Sequence, residues 1–338
     1  MESIRVATIG SGPIVESILN NINRVEGIYL EAVYSRSLER GKFLTQKFNC
    51  KKSYTSLEEL FNDKNVNTIY IASPNSLHYE QAKLALNAGK HVICEKPFVS
   101  KLSQAEELSA LATNKNLFLI EAIPTAFLPN LEVIKNHLRK IGKLKLVISN
   151  YSQYSSRYDK VLSGEVPNVF NPNFDGGSLM DINYYNIALN VLLFGKAIRA
   201  KYYPNIFENL LDTSGVALLE YPDFISTNVG AKDSFGTNFF QIEGEDGYIY
   251  AEAGANGLKS VKIGIKNSND NSVKEEIYDE QYDEDRLYFE IKEITRLFLN
   301  NSYAEVRKLL AKSIDTVSIV EQMRLSAGII FPCDKNFQ

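Results

Sequence analysis

Features typical of membrane-spanning or metal-binding proteins are scarce in this chain of 338 residues. No apolar run approaches the roughly 20 residues that a membrane-spanning helix needs. The three cysteines, Cys50, Cys94 and Cys333, lie too far apart for a metal-binding spacing, and only three histidines accompany them. Separated cysteines in odd number are typical of reduced thiols in a cytoplasmic protein. We therefore predict no metal site, no membrane partner and a cytoplasmic location.

The chain also lacks a large excess of charge of either sign, since its formal net charge is only -4. This balance gives no reason to expect a nucleic-acid partner. Apolar residues make up 44% of the chain, and this length is typical of about two domains. The composition therefore predicts two domains, each with its own core.

The first third of the chain alternates between short apolar strands and helical patterns. Strands are predicted at 4–9, 28–34, 68–72, 92–95 and 117–121, with helices between them. Ser56 and Ser103 each begin a capping-box pattern at the start of a helix. This alternation indicates a doubly wound parallel sheet, the Rossmann arrangement. We assign it to residues 1–122.

The rhythm changes after Ala122. Helices are predicted at 130–140, 179–194, 284–300 and 303–326, and a long strand at 144–151. Successive strands with tight turns fill 200–266, a pattern typical of an antiparallel sheet. Residues 123–338 are therefore predicted to form an α+β domain, and its terminal helix is a candidate to pack back on the first domain.

A glycine-rich turn joins the first strand to the first helix. In Gly10-Ser11-Gly12-Pro13-Ile14, the first glycine permits a tight turn and the second allows close approach of a pyrophosphate. Val15 replaces the third glycine of the dinucleotide fingerprint. Because this turn opens a βαβ series, we predict dinucleotide binding here rather than an ordinary turn.

The end of the second strand bears on cofactor choice. An NAD-selective site usually carries a carboxylate there, whereas this chain has Ser35 and Arg36. Arg36 can pair with a 2′-phosphate. We therefore predict that NADP is preferred, with NAD still possible. The alternative is that Arg36 is an ordinary solvent-exposed residue.

The strand from Val92 runs directly into Glu95-Lys96-Pro97. Pro97 fixes its own φ and disfavours the helical region for Lys96. Lys96 is therefore held at the carboxyl end of a parallel strand, where open α/β sheets bind ligands. A lysine at that position can contact a substrate oxygen.

The helix predicted from Leu179 carries Asp181 and Tyr185 four residues apart, so they share one face. An acid and a phenol on one face can serve proton transfer, particularly beside a lysine ammonium. The alternative is an aspartate that stabilises the helix dipole and a tyrosine that fills the core.

These motifs occur in one order along the chain: Gly10-Ser11-Gly12, then Ser73-Pro74-Asn75 with His78, then Glu95-Lys96-Pro97, then the helix with Asp181 and Tyr185. The combination resembles the glucose–fructose oxidoreductase / inositol dehydrogenase (Gfo/Idh/MocA) family. It is most similar to the branch with dimeric dihydrodiol dehydrogenase and glucose–fructose oxidoreductase.

The resemblance implies a Rossmann domain followed by a domain with a large, open, mostly antiparallel sheet. That sheet would form the interface of a homodimer or homotetramer. The implied activity is hydride transfer between NAD(P) and a sugar, polyol, diol or related carbonyl compound. Such a small, polyhydroxylated or carbonyl-bearing molecule is the partner expected.

The resemblance also implies roles for individual residues. Lys96 would bind the substrate oxygen, Tyr185 would act as general acid or base, and Asp181 would orient the substrate or the lysine. The remaining cofactor-binding candidates, besides those of the glycine turn and the second strand, are Ser73, Pro74, Asn75, His78, Glu95, Lys96 and Glu121. The Lys96–Pro97 peptide bond is expected to be cis.

Two departures from the family pattern stand out. Pro124 and Ala126 occupy positions where the close branch has a tryptophan and an arginine, so the resemblance implies that cofactor binding and substrate choice differ here. Asn183 replaces a helix glycine, and we expect it to add a polar group near the cleft. The hydroxyl-rich stretch 151–158 is either part of a polyol pocket or a strand edge with its loop.

A second function stays open at this stage. The chain could be a catalytically silent NAD(P)-binding sensor on the same fold. The presence of Lys96, Asp181 and Tyr185 together favours the enzyme.

Overall fold

The computed structural model describes residues 3–208, 211–270, 272–282 and 284–335. The chain divides into two units, each built on one sheet. The first comprises the residues up to Ile123 together with Leu287–Val317, and the second comprises Pro124–Arg286 together with the residues from Ser318 onward.

The sheet of the first unit has six parallel strands in the order β3-β2-β1-β4-β5-β6. They are β1 (Ile4–Ile9), β2 (Ile28–Tyr34), β3 (Lys52–Tyr54), β4 (Thr68–Ile71), β5 (His91–Glu95) and β6 (Leu119–Ala122). The direction of winding reverses between β1 and β4, and such a point is where doubly wound sheets bind ligands. The predicted Rossmann arrangement is confirmed.

The α-helices of the described residues flank the two sheets. In chain order they are α1 (Pro13–Ile22), α2 (Leu38–Lys47), α3 (Leu57–Asn62), α4 (His78–Asn87), α5 (Leu102–Asn114), α6 (Pro129–His137), α7 (Tyr158–Leu162), α8 (Tyr184–Phe194), α9 (Arg286–Leu299) and α10 (Tyr303–Ser326). Ser56 caps α3 as predicted, because its side chain accepts the Glu59 N–H at 3.3 Å. The capping prediction at Ser103 is wrong, because α5 already begins at Leu102 and its N-cap is Lys101.

Aromatic stacking attaches the late helices to the first unit. Phe118, just before β6, stacks on Phe298 of α9 and Tyr303 of α10, with ring centroids 4.3 and 4.1 Å apart. Leu310 and Val317 of α10 join the same unit's apolar core. Residues distant in sequence therefore complete the packing of the parallel sheet.

The sheet of the second unit has eight strands in the order β14-β13-β12-β11-β7-β10-β9-β8. They are β7 (Leu144–Ser152), β8 (Arg199–Ile206), β9 (Asp212–Glu220), β10 (Ile225–Ala231), β11 (Phe239–Gly244), β12 (Gly247–Glu252), β13 (Lys259–Lys266) and β14 (Val273–Tyr278). The β7–β10 pair is parallel and the other pairs are antiparallel. This arrangement confirms the predicted large, mostly antiparallel sheet.

The predicted helix from Leu179 to Phe194 has two parts. Leu179–Asn183 is a π-helical turn, and α8 continues from Tyr184. A π turn widens the helix locally, and such turns are frequent at functional sites. Asp181 lies in this turn and Tyr185 in the first turn of α8.

Buried amide groups, rather than apolar packing alone, attach α8 to the sheet. Asn183 donates to the Asn228 carbonyl at 3.1 Å, and Asn190 donates to the Asn228 side chain at 2.8 Å. Ser149 of β7 also donates to that side chain at 2.8 Å. The expectation that Asn183 adds a polar group near a cleft is wrong, because Asn183 is fully buried against β10.

We expect Asn228→Ala to destabilise the protein by about 2–4 kcal/mol, because each buried polar group left without a partner costs about 1–3 kcal/mol. Urea unfolding measures the change. Thr227→Ala is the matched control, since Thr227 is the adjacent β10 residue on the opposite, half-buried face. Equal effects of the two substitutions would show that the amide network contributes nothing.

Candidate active site

The glycine turn after β1 has the geometry of a phosphate-binding loop. Gly10 has φ of +128°, and a Cβ there would lie 2.4 Å from the Ala72 carbonyl oxygen, so only glycine fits. Gly12 is the N-cap of α1, and a Cβ there would meet nothing within 4 Å. Pro13 and Ile14 form the first helical positions. The open side above a helix N-terminus fits a pyrophosphate.

The residues after β2 differ in whether their side chains already form hydrogen bonds or ion pairs with other residues of the chain. Ser35 is buried, and its hydroxyl accepts the Ser37 N–H at 3.2 Å and lies 3.4 Å from the Ser11 hydroxyl. Arg40 donates to the Ser11 carbonyl at 3.0 Å and pairs with Glu16. Arg36 is exposed and forms no hydrogen bond or ion pair within the described part of the chain. Arg36 is thus the cation available here for an additional anion.

His78 binds the turn that contains Lys96. Its two ring nitrogens lie 3.0 Å from the Pro97 carbonyl oxygen and 3.0 Å from the Ser73 carbonyl oxygen. Burial lowers the pKa of His78 below its ordinary value of 6.5, and a neutral imidazole donates to one of these carbonyls. The Lys96–Pro97 bond is cis, which confirms the prediction.

The turn after β4 lies on the other side of His78. Ser73 donates its hydroxyl proton to Gln81 of α4 at 2.7 Å. Pro74 precedes a short 3-10 turn, Asn75–Leu77, which leads into α4. The candidate nicotinamide residues of this turn are therefore held next to the Lys96–Pro97 turn through His78.

Buried carboxylates surround the strand end at Lys96. Glu95 accepts the Tyr70 O–H at 2.9 Å, and Glu290 of α9 lies 3.3 Å from the same phenol oxygen. Glu121 of β6 accepts the Phe98 N–H at 2.9 Å. Burial, together with the neighbouring Glu290 and Glu95 carboxylates, raises the pKa of Tyr70 well above its ordinary value. Tyr70 is therefore a neutral hydrogen-bond donor at physiological pH.

In the second unit, Asp181 forms an ion pair with Lys232, a residue that the sequence analysis did not single out. Lys232 follows β10 directly, 51 residues further along the chain. An Ala-Lys-Asp segment in isolation is typical of any exposed turn. Only the folded position of β10, between β9 and β7, shows that this lysine contacts Asp181.

Tyr185 lies among aromatic and cationic groups of the second unit. Its ring packs edge-on against Tyr151, with centroids 5.7 Å apart, and the Arg286 guanidinium lies 5.9 Å from the Tyr185 ring centroid. Asn256 donates to the Tyr151 hydroxyl at 2.8 Å. Tyr151, from the hydroxyl-rich stretch, is therefore a neighbour of Tyr185.

Asp212 fixes the start of the π turn. Its Oδ2 accepts the Leu179 N–H at 2.6 Å and the Tyr202 O–H at 2.6 Å. A Cβ on Gly177 would lie 2.2 Å from Asp212 Oδ1, so this contact also needs glycine. Burial raises the pKa of Asp212 to about 7, although its two donors favour the ionised form. The backbone that leads to Asp181 and Tyr185 is thus anchored on one buried carboxyl group.

Comparison with known proteins places the chain in a family. The family model described as an oxidoreductase family with an NAD-binding Rossmann fold (GFO_IDH_MocA) matches residues 4–122. The scyllo-inositol 2-dehydrogenase (NADP(+)) IolU of Bacillus subtilis is 36% identical over 334 residues, which cover 98% of this chain and 99% of that protein. The chain belongs to the Gfo/Idh/MocA family of oxidoreductases.

Two further proteins match this chain at lower identity. A trans-1,2-dihydrobenzene-1,2-diol dehydrogenase of Mus musculus is 33% identical over 195 residues, or 56% of each chain. The crystal structure of KijD10, a 3-ketoreductase of Actinomadura kijaniata in complex with NADP and TDP-benzene, superposes with a TM-score of 0.81. Its identity is 21%, and the match covers 96% of this chain and 97% of that one. The match to the KijD10 structure supports the fold of this chain.

Membership in the Gfo/Idh/MocA family confirms the predicted resemblance and makes the chain an NAD(P)-dependent oxidoreductase. Among the described residues, no group of three or more His, Cys, Asp or Glu side chains is arranged to hold a metal ion. No described helix is long and apolar enough to cross a membrane.

Asp212 gives the protein a specific pH dependence. Its pKa is raised in the folded state from an ordinary 3.8 to about 7, so only the folded state keeps this proton between those values. Stability therefore falls as the pH rises from about 4 to 7. Between pH 5 and pH 8 the wild type should lose roughly 3 kcal/mol more unfolding free energy than Asp212→Asn.

Urea unfolding at both pH values measures this difference. The asparagine can still accept from Leu179 and Tyr202, so the variant keeps the helix anchor while losing the titration. Identical pH profiles for the two proteins would contradict the assignment.

Proposed function

We propose that this oxidoreductase is an NADP-preferring dehydrogenase that interconverts a polyhydroxylated alcohol and its carbonyl form. One observation carries the proposal. The chain matches a protein named scyllo-inositol 2-dehydrogenase (NADP(+)) over nearly its whole length. The presence of Lys96, Asp181 and Tyr185 supports it.

The cofactor supplies a carbon that accepts or donates hydride when it is bound. In our proposal, Gly10, Ser11, Gly12, Pro13 and Ile14 hold the pyrophosphate. Ser35 contacts the adenosine ribose, and Arg36 pairs with the 2′-phosphate.

Ser73, Pro74, Asn75 and Glu121 line the nicotinamide pocket in this proposal. His78 supports that pocket because it is buried between the two adjoining turns and donates to a backbone carbonyl of one of them. Glu95 receives the Tyr70 hydroxyl, which keeps the strand end before Lys96 in place.

Lys96 and Tyr185 form the proposed acid–base pair. The Lys96 ammonium binds the reacting oxygen and stabilises negative charge on it. Tyr185 accepts the hydroxyl proton during oxidation and returns it during reduction. Asp181 orients the substrate.

The outer face of the eight-stranded sheet is the proposed oligomer interface. Ile225 pairs in register with Leu146, and these neighbours are 47% and 43% exposed. Exposed Tyr203 and Ile277 extend apolar character along other strands. A homodimer or homotetramer through this sheet would cover such residues.

We expect Lys96→Met and Tyr185→Phe each to lower kcat by about 10²–10⁴, because each removes a group that acts on the reacting oxygen. Absorbance of the reduced nicotinamide follows turnover with scyllo-inositol and trans-1,2-dihydrobenzene-1,2-diol. The dissociation constant for NADPH should stay within about threefold of wild type.

Lys42→Met and Tyr29→Phe are the matched controls, since both side chains are exposed. A wild type that binds NADPH but turns over no alcohol or ketone would instead support the silent sensor.

Cofactor choice gives a separate test. Arg36→Ala should weaken NADPH binding about 10–100-fold and leave NADH binding nearly unchanged, because a charge-assisted bond to phosphate contributes about 1.5–3 kcal/mol. Fluorescence titration measures both constants. Lys42→Ala, another exposed cation nearby in sequence, controls for general loss of positive charge. Tighter NADH than NADPH binding by the wild type would refute the preference.

A further inference from the structure

The backbone of Lys232 is fixed by two neighbouring segments. Its N–H donates to the Thr213 carbonyl at 2.8 Å, and its own carbonyl accepts the Ser155 N–H at 2.9 Å. The side chain is only 7% exposed, and its ammonium pairs with Asp181, whose side chain is 32% exposed. The lysine ammonium is therefore held almost out of solvent, next to a carboxylate that is partly exposed to solvent.

The Lys232 ammonium has more donors than the protein fills. An ammonium group carries three N–H donors. Within the described ranges, Asp181 is the one hydrogen-bond acceptor of Lys232 Nζ. The adjacent Asp233 accepts instead from Thr213 and Ser214 hydroxyls, at 2.7 and 2.9 Å. Two donors are therefore left on a group so buried that unfilled donors are costly.

We propose that Lys232 binds two neighbouring hydroxyl oxygens of a neutral polyol substrate. This inference rests on the proposed function, which it deepens by naming the substrate class. Two donors on one nitrogen match two oxygens on adjacent carbons. The Asp181 carboxylate, which has about four acceptor positions, accepts a hydrogen bond from a hydroxyl group of the same diol.

The charge of the pair defines the class further. Lys232 and Asp181 neutralise each other, so this pair, unlike the Lys96 ammonium proposed to hold the reacting oxygen, offers no net positive charge to a sugar acid or sugar phosphate. A carboxylate on the ligand would also lie near Asp181 and be repelled. A neutral polyol is therefore preferred over an anionic analogue.

Isothermal titration calorimetry with scyllo-inositol tests the proposal directly. Saturating NADPH is present, so no turnover occurs. We expect Lys232→Met to weaken inositol binding about 10–100-fold, because two bonds to a charged donor are lost. Lys266→Met, at an exposed end of β13, should bind as wild type does. Sodium gluconate, the anionic probe, should bind more weakly than inositol to the wild type.

NADPH affinity and thermal unfolding confirm that each variant is folded. Lys232→Gln, which keeps amide donors, serves if the methionine variant does not fold, and it should lose part of the affinity. Unchanged inositol binding in the folded variant, or gluconate binding as tight as inositol binding, overturns the proposal.

The outcomes separate this inference from the proposed function. If inositol binding depends on Lys232 but the wild type turns over no alcohol, the inference about Lys232 stands. The proposed dehydrogenase function is then overturned. Wild-type turnover with a KM for inositol that is unchanged in Lys232→Met removes the inference alone. Absence of both binding and turnover in the wild type removes both.

Discussion

The contact between the Asp212 carboxyl group and the Leu179 N–H determines where the second unit places Asp181 and Tyr185. Asp181 lies two residues after Leu179, and Tyr185 lies six residues after it. A shift of the π turn would therefore displace both side chains together. Asp212 is almost fully buried and receives a second hydrogen bond from Tyr202. Because polar bonds are directional, they hold this turn in one orientation more strictly than apolar packing of similar size would.

The same physical device recurs in the first unit. Lys96 lies on a turn whose backbone contacts two buried side chains: a His78 ring nitrogen lies 3.0 Å from the Pro97 carbonyl oxygen, and Glu121 accepts the Phe98 N–H. Neither side chain needs to touch substrate to matter. Glu121 satisfies a backbone N–H that the tight turn leaves without a partner in the sheet, and His78 fills the space between this turn and the one after β4. The polar candidate residues of the sequence therefore divide into those that are proposed to do chemistry and those that contact the backbone around them.

The sequence predicted those parts of the site that are set by local backbone constraints. Gly10 permits the backbone conformation of its turn, Pro97 limits the backbone angles of its own turn, and Ser56 caps the helix that follows it. Each effect is local, so short sequence patterns were sufficient to predict it. Lys232 and Asp212 were missed because their partners lie 51 and 33 residues away. Asn183 was misplaced because helical spacing did not reveal which face β10 would cover. The three residues of β3 were too few to give a periodic signal.

The Lys232–Asp181 pair is difficult to explain as a stabilising feature. Lys232 is almost fully removed from water, and burying a charge costs several kcal/mol, which attraction to a partly exposed partner often fails to repay. A pair of apolar residues would fill the same space at no such cost. The asymmetry of the pair adds to this, since the lysine is much more buried than the aspartate. The buried Lys232 ammonium is a hydrogen-bond donor, and the more exposed Asp181 carboxylate beside it is an acceptor. Such a pair suits a ligand that both accepts and donates hydrogen bonds, and a hydroxyl group is the simplest such ligand.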